Sequence, residues 1–111
     1  MDALYGRVVC LRGYIARTWR QIRHPAMPLS GRSWLPLARH VGWPVSTWGH
    51  LVHVINRESA GRPWALNRST DCRGLLQIMQ RYHPGVDLLD PEINLGVGLR
   101  VWRMSGWRPW L

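Results

Sequence analysis

The chain contains no lysine and no phenylalanine, and it holds only six acidic residues and two cysteines. Cys10 and Cys72 stand far apart with no ligand-like neighbours, so neither a metal site nor a redox motif is supported and two free thiols are expected. No apolar run is long enough to span a bilayer. Val8 to Leu11 is closed off by Arg12, short of the roughly seven residues that a secretory h-region needs, so no signal peptide is expected. Alternating runs of Val, Ile and Thr are missing too, which argues against a sheet protein. The lack of lysine reads as codon bias from a GC-rich genome, since either basic side chain serves on a solvated surface.

What is abundant is arginine. Fifteen basic residues, all arginine, face six acids, for a formal net charge of +9. Such a chain seeks an anionic partner. No helix-turn-helix, zinc-ligand or RNP signature appears and the arginines are spread along the whole length, so no specific nucleic-acid partner is expected. A bacterial wall, with its peptide carboxylates and anionic polymers, satisfies the same electrostatics. Of the five histidines, His50 and His53 lie three apart with no third ligand in register, so neither a metal nor a cofactor is expected.

With 111 residues and 46% hydrophobic content the chain can build one small core. Helical spacing dominates, and the expected fold is mainly α. Residues 1–23 form a cationic amphipathic helix, with Leu4, Val8, Leu11, Ile15, Trp19 and Ile22 on one stripe and arginines outside it. That arm either packs as a first helix or lies on an anionic membrane surface. Residues 24–31, HPAMPLSG, read as a linker, and 32–111 as the folded domain. Ser33 is expected to cap a short helix with Trp34, Leu37, Ala38 and Val41 on one face, ended by Gly42 and Pro44.

The centre of the chain is Asn56 to Ile78, NRESAGRPWALNRSTDCRGLLQI. Trp48, Leu51, Val52 and Ile55 recur at three and four residues, and Glu58 continues that face just before Gly61 and Pro63 stop the helix. Carbonyls at a helix end disfavour a second negative charge, and burial against Ile55 acts in the same direction. A carboxyl that keeps its proton near neutral pH can give it to a leaving oxygen. The plainer alternative is a solvated helix-end residue paired with Arg62. Gly61 to Arg73 reads as a turn-rich wall carrying Trp64 and Asn67, with Trp64 exposed enough to stack on a sugar. Leu75, Leu76, Ile78 and Met79 suggest a further helix ended near His83, with the Gln77 amide free for a cleft. Asp90, Pro91 and Glu92 start the last helix, whose apolar residues from Ile93 to Met104 form the core spine, and the tail Trp107 to Trp110 folds back on it.

Four pieces in order, RESAGRPWALN, GLLQI, DPEINLGVGLRVW and GWRPW, resemble the lysozyme-like domains of lytic transglycosylases and actinophage lysins, over about the last eighty residues. The resemblance implies a compact lysozyme-like helical domain with a cleft-lining loop. It further implies that Glu58 is the catalytic acid, that Ser59 supports it, and that Asn67 and Gln77 line the sugar groove. The chain departs from the family at the later Ala-Tyr-Asn-type segment, where it reads NLGVGLRVWRMSG. Tyr82 is a distant candidate for that tyrosine's role.

The expected activity is cleavage of the bond between N-acetylmuramic acid and N-acetylglucosamine in peptidoglycan strands by a monomer acting at the bacterial wall. Without a signal peptide, release by a holin or carriage on a virion is expected. Asp90 and Glu92 belong to a helix start and Asp2 to the terminus, which leaves Asp71 and Asp87 as partners for Glu58. Asp71 is expected in a salt bridge with Arg68 or Arg73. A single acid points to a lytic transglycosylase; a hydrolytic muramidase and a non-catalytic wall-binding or virion protein are the alternatives.

Overall fold

The computed structural model describes residues 30–111. The arm 1–23, the linker up to residue 29 and Cys10 lie outside the described residues. The described chain is mainly helical: α1 spans Leu35–Val41, α2 Trp48–Ser59 and α3 Pro91–Ser105. Between α2 and α3 runs an irregular excursion holding a short antiparallel pair, β1 Cys72–Arg73 and β2 Ile78–Met79, in which Cys72 faces Met79 and Arg73 faces Ile78. An isolated bridge joins Leu66 to Arg73.

Local sequence explains each helix boundary. Gly42, at φ 115°, ends α1 in the left-handed region, where its amide reaches back to Ala38 and Arg39. Asp90 caps α3 as expected: its Oδ1 accepts from the amides of Glu92 at 2.8 Å and Ile93 at 3.2 Å, with Pro91 at the first helical position. The left-handed cap of α2 is Ala60, at φ 53°, one residue before the expected Gly61. Ahead of α1, Gly31–Trp34 forms a 3-10 turn whose cap position is Ser30, and the cap position of α1 is Trp34, so Ser33 holds neither. The Ser33 hydroxyl instead accepts from the Ser30 amide at 3.3 Å.

Two expectations fail here. The stretch after Gly74 is a tight turn leading into β2, with no helix before the 3-10 turn Gln80–Tyr82. Gly74 and Gln77 hold positive φ of 79° and 51°, which breaks any regular helix, and a short apolar run cannot by itself separate strand from helix. The spine of α3 is also rotated from the expected one. Leu95, Val97, Leu99 and Val101 are buried together with the polar Asn94, while Ile93 and Met104 face outward. The two free thiols must be corrected as well. Cys72, fully buried in β1, is disulfide-bonded, a state that spacing along the chain gave no means of seeing.

One core takes Leu51, Val54 and Ile55 from α2, Leu75, Leu76 and Ile78 from the turn and β2, and Leu95, Val97, Leu99 and Val101 from α3. Tryptophans lace it together. The indole N–H of Trp43 donates to the Leu95 carbonyl, that of Trp48 to Trp43, that of Trp34 to Gly61 and that of Trp110 to Leu76. Each ring therefore contributes apolar area and one backbone tie worth about 1 kcal/mol. The tail folds back as expected, with Trp110 buried.

Ser30 and Gly31 are pressed against the end of α2. The Gly31 amide donates to Asn56 Oδ1 at 2.6 Å, and a Cβ on Gly61 would come within 2.6–2.7 Å of the Ser30 backbone. Gly61 also sits at φ 76°. Gly61→Ala is therefore expected to destabilise the protein by about 2 kcal/mol or more, read as a lower urea midpoint at unchanged slope.

Candidate active site

Helix α2 turns Leu51, Val54, Ile55, Glu58 and Ser59 inward. This is the three-and-four spacing of one face, with Val52 at its half-buried edge. Glu58 is only 2% exposed, the sole buried acid among the described residues. A carboxylate removed from water needs compensation. Part of it comes from Arg57, whose Nε lies 3.3 Å from Glu58 Oε2. The solvated helix-end alternative is thus excluded by burial.

Ser59 is fully buried, and its hydroxyl donates to the Ile55 carbonyl at 3.1 Å. It closes the last turn of its own helix and makes no bond to the carboxylate. Three turn bonds lead from there to the excursion: Arg62 amide to Ser59 carbonyl at 3.0 Å, Ala65 amide to Arg62 carbonyl at 3.2 Å, and Gly74 amide to Ala65 carbonyl at 2.8 Å. The end of α2 and the turn before β2 are thereby one connected frame.

Asn67 and Gln77 belong to that frame. Asn67 is 1% exposed; its amide bonds the Cys72 carbonyl, and its Oδ1 accepts from the Ser69 amide at 3.0 Å. Gln77 is fully buried, and its Nε2 donates to the carbonyls of Ala65 at 3.2 Å and Gly74 at 3.0 Å. The expectation of a Gln77 amide free for a cleft is therefore wrong, because the left-handed backbone at 77 turns the side chain under the loop. What each residue leaves over is one buried polar atom with no hydrogen bond, Asn67 Nδ2 and Gln77 Oε1. Such an atom, left unpaired, costs about 1–3 kcal/mol. Trp64 is half-buried against Ala65, so its ring is less open than a loop position suggested.

Asp71 is held in a way spacing did not suggest. Its Oδ2 accepts from the amide of Arg81 at 3.0 Å and lies 3.3 Å from the same residue's Nε, so Arg81, and neither Arg68 nor Arg73, is the partner. Tyr82 is half-buried and packs on the core. A surface hollow of about 340 Å³, lined by Leu35, Pro36, Arg39 and Trp48, contains none of the expected site residues. Among the described residues no group of three or more His, Cys, Asp or Glu could hold a metal ion.

Sequence reasoning missed Asn94. Fully buried on α3, it accepts the Leu76 amide on Oδ1 at 3.0 Å and donates Nδ2 to the carbonyls of Arg73 and Leu88, each at 2.9 Å. A signal existed, because 94, 97 and 101 share one helix face and a polar residue on a buried face must have partners.

No family model matches the chain, and neither a curated protein nor a solved structure matches it.

Asn94→Ala would strand the Leu76 amide and Arg73 carbonyl around the turn that carries Gln77, and the Leu88 carbonyl ahead of α3. It is expected to cost about 3 kcal/mol or more in chemical denaturation and to speed hydrogen exchange at Leu76 ahead of the α3 amides.

Proposed function

We propose that the protein cleaves peptidoglycan glycan strands, with Glu58 as general acid and then base, as a lytic transglycosylase. The observation that carries this is the burial of one carboxyl at the end of α2, 2% exposed, in the same stretch that resembles the family's catalytic segment. Burial favours the protonated form, and Arg57 favours the ionised form that then acts as base. The four other described acids all have work elsewhere. Asp90 caps α3, Asp71 binds Arg81, Asp87 accepts from the Leu89 amide, and Glu92 lies 3.8 Å from His40.

With one acid, the chemistry follows. Glu58 gives its proton to the glycosidic oxygen as the C1–O bond breaks, and the carbonyl oxygen of the substrate's own N-acetyl group bonds C1. The glutamate, now ionised, takes the proton of the C6 hydroxyl, whose oxygen displaces the acetamido oxygen at C1 and closes a 1,6-anhydro ring. Glu58 ends protonated and ready. A two-carboxylate hydrolysis would need a second group about 5–9.5 Å away. Asp71 is the alternative partner, but one of its oxygens is already committed to Arg81.

Glu58→Gln keeps the shape and removes the proton, so turnover of labelled walls is expected to fall by a factor of about a hundred to ten thousand with the fold unchanged. Turnover near that of the unaltered protein would refute the role of Glu58. Mass spectrometry of the digest reads the mechanism separately: anhydromuropeptides, lighter by one water, are expected. Reducing muropeptides whose formation stops in Asp71→Asn would mean hydrolysis by two carboxylates.

A further inference from the structure

The solvent side of α2 carries His50, His53 and Arg57, at steps of three and four residues. At about 1.5 Å rise per residue they stand roughly 4.5 and 6 Å apart along one ridge. Both histidines are exposed, with ring centroids 5.9 Å apart. His50 is set in place from behind: its ring lies 4.4 Å from Trp107, which stacks at 5.7 Å and 18° on the buried Trp43. Arg57 spends its Nε on Glu58 and, among the described residues, makes no other hydrogen bond, so the two terminal amino groups of its fork remain available. A planar fork with an open edge is the side chain best suited to a carboxylate or phosphate.

We propose that His50, His53 and Arg57 form a binding ridge for an anionic wall polymer, one whose phosphate or carboxylate groups are closely spaced along a flexible chain. The ridge is short, straight and carried on the outside of a helix whose inner face is core. That geometry fits a flexible strand laid along it better than a duplex groove. It brings like charges together, and of the three only Arg57 has an acid beside it, Glu58. His50 is held below the ordinary value of 6.5 by burial, by His53 and by Arg57. Trp107, the group packed on it from the C-terminal segment, is neutral. A bound oxyanion removes that repulsion, so binding must be coupled to proton uptake. Affinity therefore rises as pH falls through the histidine range and is weakest where both rings are neutral. That the polymer belongs to the wall rests on the proposed function, whereas anion binding by the ridge is independent of glycan cleavage.

The test is a titration of the full chain with linear polyphosphate, with polyglutamate and with duplex DNA, following the ring protons of His50 and His53 by NMR. Either flexible polymer is expected to shift both rings and to raise their titration midpoints. Binding should be about tenfold tighter near pH 5.5 than near pH 7.5. His50→Gln with His53→Gln should abolish that pH dependence, and Arg57→Gln should weaken binding at every pH. Both histidines are exposed, so their variants should unfold at the original urea midpoint, whereas Arg57→Gln also removes the ion pair to Glu58 and should lower it. A response to only one of the two polymers identifies the oxyanion. Absent ring shifts, pH-independent affinity, or undiminished binding by the double variant would overturn the ridge. Tighter binding of duplex DNA than of either polymer at the same rings would overturn the wall-polymer assignment in favour of nucleic acid.

Discussion

One carboxamide holds the irregular half of this domain to its regular half. Asn94 projects from α3 into the core and satisfies the Leu76 amide and the carbonyls of Arg73 and Leu88. Those backbone groups come from segments with no helix and almost no ladder of their own, so without it they would be buried and unpaired. A Cβ on Gly74 would collide with the same carboxamide and with the Leu88 carbonyl, which is why the residue there has none. Leu76 then contributes its side chain to the core and its carbonyl to the Trp110 indole. The tail, the turn and the last helix thus depend on one hydrogen-bonded point.

Periodicity made the helices legible and left the excursion obscure, for a physical reason. A helix repeats, so Leu51, Ile55 and Glu58 announce a face, and Asp90-Pro91-Glu92 announces a start. The stretch from Arg62 to Met79 is built from single events: positive φ at Asp71, Gly74 and Gln77, one bridge at Leu66, and a two-residue strand pair. None of these repeats, and the left-handed conformations at Asp71 and Gln77 are ones that residues other than glycine seldom adopt. The apolar letters of Leu75, Leu76 and Ile78 were right about burial and silent about backbone. The tryptophans show the same limit. Their number promised core, but that four of them would tie backbone carbonyls across the domain depends on tertiary contacts.

The candidate site was legible to the same degree. Burial of Glu58 followed from its place on the apolar face, but its pairing with Arg57 depends on side-chain conformations that spacing does not show. Arg57 is adjacent in sequence, so helical geometry argued for Arg62 at i+4. Asn67 and Gln77 were expected at a sugar and are found as struts of the loop between α2 and β2, each keeping one polar atom without a partner. These are compatible roles. A loop can be fixed by part of a side chain while the remainder is left short of a hydrogen bond that a polar ligand supplies.

Arg57 joins the two surfaces of α2. Its side chain is 20% exposed and its partner's only 2%, so the guanidinium lies on the solvent side of the carboxylate. Under the proposed function, a sugar reaching Glu58 from that side would meet Arg57 first. Stripping a buried carboxylate of its partner costs several kcal/mol, which would oppose opening if Arg57 simply swung away. The cost falls if the guanidinium finds another oxyanion as it leaves. On the proposed ridge, a bound polyanion would present such an oxyanion about one helical turn from Arg57. Binding on the outside of α2 would then lower the energy of uncovering the acid on its inside, and a neutral glycan without such groups would meet the closed pair.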